Sequence, residues 1–343
     1  MLDLQSKAPA VVLIRRVEFD ALLVELAREA GAEIVEGADV NSAAQTHDAV
    51  RLQTRDGRSF QARFVIAADG VHSVVARRLG IMAGWPRSAL AIDMMEETPS
   101  SVMRARDPDS LWVSYGFAPH QAPTSTQLSA GYGYVFPKQG YVNVGLGYLV
   151  TDFRGSAPGN AYSIQRGFVD YLKQKRVLEG DSRRECFTPF LIPIAGPLRT
   201  SAYRRVLIAG DAAGFVNGST AEGIYYAMVS GDLAARTLVG AVKKASPFNG
   251  MDYSTAWKAE IGAELRDSVA IQQFLFADSR RIDSVVHGAG ARSGLTESVV
   301  RWLVGAEDYR RVRRLILTRN PVAAACLAAI VLSNRFPRPG RWI

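Results

Sequence analysis

Asp211 is the residue in this chain whose surroundings most clearly imply chemistry. It stands in Gly210-Asp211-Ala212-Ala213-Gly214, behind the apolar run Val206 to Ala209 and ahead of Asn217-Gly218 and Thr220-Ala221-Glu222-Gly223-Ile224. A short apolar run ending in glycine reads as a buried strand entering a turn. The small and apolar residues from Thr220 onward fit a helix, with Thr220 as its N-cap. A strand end, a carboxylate, small residues and a helix N-terminus together make a cradle for a polar ligand. The small residues let a ligand approach the backbone, and the helix offers unpaired N–H groups at its positive end. A second acidic turn, Asp69-Gly70, follows the run Phe64 to Ala68 about 140 residues upstream, and Ser73 is placed to cap the helix after it.

These residues resemble the Gly-Asp and Asp-Gly motifs of FAD-dependent oxidoreductases, and among them the geranylgeranyl reductase family. The family pattern of Gly-Asp-Ala-Ala-Gly, Asn-Pro, Thr-Gly-Glu-Gly-Ile and Ser-Gly is matched by Gly210 to Gly214, Asn217-Gly218, Thr220 to Ile224 and Ser230-Gly231, with Gly218 in place of Pro and Ala221 in place of Gly. The resemblance implies that Asp211 binds the ribityl chain of FAD. It also implies that the backbone at Gly223 and Ile224 faces the flavin pyrimidine end, where the helix dipole favours an anionic reduced flavin. Asp69 and Gly70, with Gly210 and Gly214, would be cofactor-binding by the same resemblance. Arg16, in Arg16-Val-Glu-Phe19-Asp20, stands where the family has an arginine on FAD, and Val40 where it has a backbone contact to the adenine part.

The elements that must carry these residues are legible in the apolar spacing. Val11 to Ile14 reads as a strand, and a helix follows from about Glu18 to Ala30, stopped by Gly31. Residues 33–68 are strand-rich, with Ile34-Val35, Val40, Val50 to Leu52 and Phe64 to Ala68, and with a hairpin turn at Asp56-Gly57. Residues 84–150 change character toward Gly, Pro and aromatics, so a second domain is expected there. Within it, Gly131 to Lys138 and Val142 to Gly147 form a hairpin, and period-two spacing puts Tyr132, Tyr134 and Phe136 on one face. This stretch resembles the family's Tyr-x-Trp-x-Phe-Pro motif, with Tyr134 for Trp. The resemblance implies a wall for an isoprenoid substrate or a flavin edge; an aromatic core stripe is the alternative.

Residues 160–180 read as a connecting helix, 187–197 as the return to the first domain, and the chain after Gly231 as helical to about Leu332. The expected fold class is therefore α/β (α+β): a truncated FAD-binding Rossmann-like domain, an antiparallel-sheet substrate domain and a helical C-terminal part. The expected boundaries are 1–83 for the partial FAD-binding domain, 84–187 for the substrate-binding sheet, 188–240 for the Gly-Asp return and 241–343 for the helical region.

Composition excludes several classes. With 343 residues, 48% hydrophobic and 22% charged, the chain can bury a large core and is not disordered. The net charge of +8 is concentrated in residues 301–343, where nine arginines face only Glu307 and Asp308. The nearly neutral body argues against nucleic acid as a partner. The tail's arginines beside the apolar run Val322 to Leu332 could instead lie on an anionic membrane surface or pack as an ordinary basic helix. Two cysteines, Cys186 and Cys326, make neither a disulfide framework nor a metal site and suit a reducing cytoplasm.

No strand followed by Gly-x-Gly-x-x-Gly occurs. In the family that turn holds the FAD pyrophosphate, and Met1 falls after it, so the chain as given is expected to hold FAD weakly. Three functions compete. One is saturation of C=C bonds in an isoprenoid by hydride from reduced FAD, with NAD(P)H or another reductant as electron source and no catalytic side chain assigned. Another is aromatic monooxygenation, against which Gly214 stands where that group commonly has histidine. The last is an inactive flavoprotein fragment.

Overall fold

A computed structural model describes residues 12–115, 117, 131–152, 160–244, 248–276 and 281. Helix α1 (Arg16–Glu29) ends where Ala32 N donates to Ala27 O and Gly31 N to Arg28 O, the pair of bonds that closes a helix at a C-terminal glycine. None of its residues is buried. A three-stranded antiparallel meander follows, β1 (Val40–Gln45), β2 (Val50–Thr54) and β3 (Ser59–Ala62), with the Asp56-Gly57 turn joining the last two as expected. Then come β4 (Val65–Ala67), helix α2 (Val74–Arg78) and strands β5 (Leu90–Pro99), β6 (Met103–Ala105) and β7 (Trp112–Tyr115). The aromatic hairpin is β8 (Gly131–Lys138) and β9 (Tyr141–Leu149), followed by helix α3 (Asn160–Gln174) and strands β10 (Leu178–Gly180) and β11 (Phe187–Pro193). The chain finishes its described part with β12 (Ala202–Tyr203), β13 (Val206–Ile208) and helices α4 (Ile224–Lys244), α5 (Gly250–Glu260) and α6 (Gly262–Leu275).

Several expectations differ from this. The strand at Val11–Ile14 does not form over its described residues 12–14, and Ile34-Val35 is also irregular. A strand needs a neighbour for its N–H and C=O groups, and no described strand pairs with either segment; Val12 is 82% exposed. The helix expected over 160–180 stops at Gln174. Arg176 takes a left-handed φ of 58°, and Leu178–Gly180 pairs with β6 instead. Helix α4 begins at Ile224 rather than Thr220, for reasons given below. The continuous C-terminal helix is broken before Asn249, whose carboxamide accepts from Met251 N to start α5. The basic tail and its apolar run lie outside the described residues.

Among the described residues the chain divides into two compact units, one of 12–36 and 91–191, the other of 37–90 and 192–275. The first holds a five-stranded sheet in the order β11-β5-β9-β8-β7 and the short β10–β6 pair. Helix α3 covers one face of the sheet: Phe168, Val169 and Leu172 pack with Met94, Val135, Val144 and Leu146, all essentially buried. Gln165 Nε2 donates to Val144 O at 2.9 Å and ties the helix to β9. Gly133 is what lets the helix approach, because a Cβ there would stand 2.2 Å from the Phe168 ring.

The second unit holds the meander and the sheet β12-β13-β4, with α2, α4, α5 and α6 around it. Val206, Leu207 and Ile208 are fully buried with Phe215, Tyr226, Tyr253 and Trp257. Two of the large buried side chains place their polar atoms on partners inside the core: Tyr253 OH donates to Ile208 O at 2.8 Å and Trp257 Nε1 to Ser201 Oγ at 2.7 Å. No described helix is long and apolar enough to cross a membrane.

The Gly133 contact is testable. Gly133→Val should lower stability by about 1–3 kcal/mol through overpacking against Phe168, read as a shifted urea midpoint at unchanged slope.

Candidate functional site

Strands β4 and β13 run parallel in register Val65–Val206, Ile66–Leu207 and Ala67–Ile208, and Ala209 N donates to Ala67 O at 2.9 Å beyond the last pair. Each leads directly into one of the two acidic turns, so Asp69-Gly70 and Gly210-Asp211 emerge side by side at the C-terminal edge of the pair. In open parallel sheets that edge is where ligands bind. Asp69 Oδ2 accepts from Val75 N at 3.0 Å and Ser73 Oγ from Ala76 N at 3.0 Å, capping α2 as the Ser73 reading anticipates.

On the β13 side, residues 210–213 form one tight turn closed by Gly214 in the left-handed region at φ 71°. Gly210 N donates to Ser230 Oγ on α4 at 3.0 Å, which fixes the turn against the helix. A Cβ on Gly214 would meet Gly196 O at 2.5 Å and the Trp85 ring at 2.6 Å, so the residue is excluded from carrying a side chain. Asp211 Oδ1 lies 3.1 Å from where a Cβ of Gly223 would be. Gly223 immediately precedes α4, so the carboxylate sits against the positive end of a 21-residue helix.

The loop between turn and helix is not helical, which is why Thr220 caps nothing longer than a turn. Asn217 Oδ1 accepts from Ser219 N, Ser219 Oγ and Thr220 N, at 3.0, 2.8 and 3.1 Å. Asn217 N donates to Glu222 O, and Thr220 Oγ1 accepts from Glu222 N at 3.4 Å. Ala221 sits at φ 59°, off the helical path. Gly218 N donates to Ser268 Oγ at 2.9 Å, and a Cβ there would press on Ile194 O and Val269, each near 2.9 Å. A proline at this position would have no N–H to give Ser268 and no room for its ring. The chain's departure from the family pattern is therefore matched by its neighbours.

Seven of the expected cofactor residues, Asp69, Gly70, Gly210, Asp211, Gly214, Gly223 and Ile224, gather at this one sheet edge. Val40 is the first residue of β1, in the separate meander. Arg16 belongs to the other unit, where its guanidinium makes a bidentate pair with Asp20 at 2.9 Å on the exposed face of α1.

In the first unit, Tyr132, Tyr134 and Phe136 do share a face of β8, with ring centroids 6.2 Å apart for the first pair and 4.4 Å, stacked, for the second. This is the sheet face opposite the one α3 covers. The Tyr134 ring lies across Gly145 on β9, and its hydroxyl donates to Asp93 Oδ2 on β5 at 3.0 Å. Burial pushes the Asp93 carboxyl up to about 6, against the lowering effect of the Tyr134 bond. Burial, and then the Asp93 charge, push the Tyr134 phenol well above its usual value. Asp93 Oδ1 and Asn143 Oδ1 are both buried without a hydrogen-bond partner. Farther along the face Glu97 accepts from Lys138 Nζ at 2.7 Å and Arg15 Nε at 3.2 Å, while the Arg15 guanidinium lies 3.6 Å over the Tyr141 ring. Asp93 is the residue the sequence reading passes over. Its only signal is an acid within the apolar run Leu90-Ala-Ile-Asp-Met-Met95. No group of three or more His, Cys, Asp or Glu side chains among the described residues could hold a metal ion.

Comparison with known proteins follows the same lines. A family described as FAD binding domain matches residues 1–136. Protein FixC of Escherichia coli K12 is 30% identical over 239 residues, 67% of this chain and 54% of its own length, so the chain spans about half of that relative. Digeranylgeranylglycerophospholipid reductase 2 of Methanothermobacter thermautotrophicus is 26% identical over 89% of this chain and 75% of its own. A geranylgeranyl bacteriochlorophyll reductase-like structure from Thermoplasma acidophilum shares the fold with a TM-score of 0.70 at 19% identity, covering 92% of this chain and 75% of the other.

Two consequences are measurable. Replacing Ala221 by glycine relieves a left-handed residue worth about 1–2 kcal/mol, while added freedom of the unfolded chain takes back about 0.4–1 kcal/mol. Ala221→Gly should therefore stabilise modestly, seen as a higher urea midpoint. For Asp93, the folded carboxyl titrates near 6 against 3.8 unfolded. A raised acid favours folding below the unfolded value and loses that advantage as pH rises through 6. A shift of this size is worth roughly 2–3 kcal/mol, so the melting temperature should fall between about pH 4 and 7 more in the parent than in Asp93→Asn.

Proposed function

We propose that the chain is an FAD-dependent oxidoreductase that saturates carbon–carbon double bonds of an isoprenoid substrate, a reading supported by the FAD binding domain match over residues 1–136 and by the similarity to a digeranylgeranylglycerophospholipid reductase. The observation that carries this reading is the row Tyr132, Tyr134 and Phe136 on the sheet face opposite α3, in which Tyr134 is buried and the Tyr132 and Phe136 rings on either side of it are half-buried. An apolar chain can lie along stacked rings and shed water there.

On this reading the second unit would hold the flavin end of FAD. Asp211, whose Oδ1 lies 3.1 Å from where a Cβ of Gly223 would be, would accept hydrogen bonds from ribityl hydroxyls. The backbone at Gly223 and Ile224, at the positive end of α4, would carry the pyrimidine edge and stabilise negative charge on it. Gly210 and Gly214 hold the turn at φ 57° and 71°, with Gly214 packed on Gly196 O and the Trp85 ring, and Asp69 and Gly70 would border the cofactor from β4. Val40 would serve the adenine side. When bound, reduced FAD supplies the hydride, with NAD(P)H or another reductant renewing it. The protein's part is to hold both molecules and exclude water.

The test incubates the protein with FAD, a chemical reductant and geranylgeraniol under argon, with products read by mass spectrometry. Gain of hydrogen pairs on the prenyl chain supports the proposal. An oxygenated product formed only in air would favour aromatic monooxygenation instead, and unchanged substrate under both gases would remove the reductase reading. Asp211→Ala should raise the FAD dissociation constant, read by titration of flavin fluorescence, about tenfold or more, since a hydrogen bond to a charged group contributes about 1.5–3 kcal/mol; the same measurable constant in variant and parent would remove the assignment.

A further inference from the structure

Two glycines on β9 face the aromatic side of the sheet, and they are put to different uses. Gly145 pairs with Tyr134 and Met95, and Gly147 with Tyr132 and Asp93. The space over Gly145 is taken, because a Cβ there would stand 2.0 Å from Tyr134 Cζ. Over Gly147 the described atoms that come within 4 Å are backbone oxygens of Ile92 and Tyr132, both at 3.9 Å. The row Asp93–Gly147–Tyr132 is therefore a notch with a backbone floor, a carboxyl on one side and a phenol ring on the other.

Asp93 uses one oxygen to accept from Tyr134, and the other, Oδ1, is buried with nothing to accept from. Leaving such an atom unpaired in a folded protein is unfavourable unless a ligand or water completes it. A bare hydrocarbon on this face would bury the atom and offer it nothing.

We propose that the notch receives the polar head of the substrate, a hydroxyl donated to Asp93 Oδ1, while the apolar body runs along Tyr134 and Phe136. This rests on the reading of that face as the substrate side and narrows it, from any isoprenoid to one that carries a hydrogen-bond donor.

Calorimetric titration with farnesol and with farnesyl methyl ether, at about pH 8 so that the carboxyl is ionised, tests it. The two probes share a chain and differ in the donor. The parent should bind the alcohol about tenfold tighter, the expected worth of a hydrogen bond to a charged acceptor. Asp93→Leu should bring the alcohol down to the ether and leave the ether unchanged. Gly147→Val, whose added Cβ would meet no described atom closer than 3.9 Å, should keep its circular dichroism spectrum and weaken both probes. Equal affinity of the parent for the two probes, or full binding by Gly147→Val, overturns the notch and leaves the isoprenoid reading standing. Binding of neither probe overturns both.

Discussion

The parallel pairing of β13 with β4 is the constraint on which the acidic site depends. Parallel strands emerge at the same edge, so two turns far apart in sequence are delivered side by side without any contact having to be built between them. The strands are only three residues each, Val65–Ala67 and Val206–Ile208, and short strands hold position only if their surroundings do. Burial supplies this: all three residues of β13 are fully inaccessible, and Tyr253 takes up the Ile208 carbonyl. The bond from Gly210 N to Ser230 Oγ then sets the angle at which the chain leaves the strand, and with it the place of α4's N-terminus.

Much of this was legible in the sequence because it is local. A buried strand, a turn of small residues and a helix N-terminus each leave a signature within a few positions, and Asp69, Asp211 and the Ser73 cap were found from such signatures. The aromatic face was legible for the same reason, since strand periodicity alone puts Tyr132, Tyr134 and Phe136 together. Asp93 was not legible. Its meaning depends on lying two strands away from Tyr134, across Gly145, and that follows from register, which no local pattern records. The failed strands at 12–14 and 34–35 make the converse point: apolar residues can suggest a strand, but only a partner makes one.

The loop from Asn217 to Gly223 shows how a motif survives substitution. Its shape is held by one carboxamide that accepts three hydrogen bonds and by the Gly218 N–H given to Ser268. A proline would fix φ at this position but withdraw that N–H, so the glycine and Ser268 form a matched alternative. Ala221 has no such compensation among its contacts; it holds a left-handed conformation because the bonds on either side of it, from Ala221 N to Asn217 O and from Asn217 N to Glu222 O, leave it no other.

The two units also divide recognition by chemical means. At the β4–β13 edge most of the groups on offer are backbone N–H, helix dipole and the absence of side chains, and these change little when surrounding residues change. On the five-stranded sheet the offer is made by side chains, by stacked rings, a carboxyl and a carboxamide, each of which a single substitution replaces. Relatives that agree at the turns can thus differ on the sheet, as Tyr134 already differs from the tryptophan of the family pattern. The motifs speak for the cofactor, and on the proposed reading the choice of substrate would rest with residues such as Asp93, Asn143 and Gly147 that no motif contains.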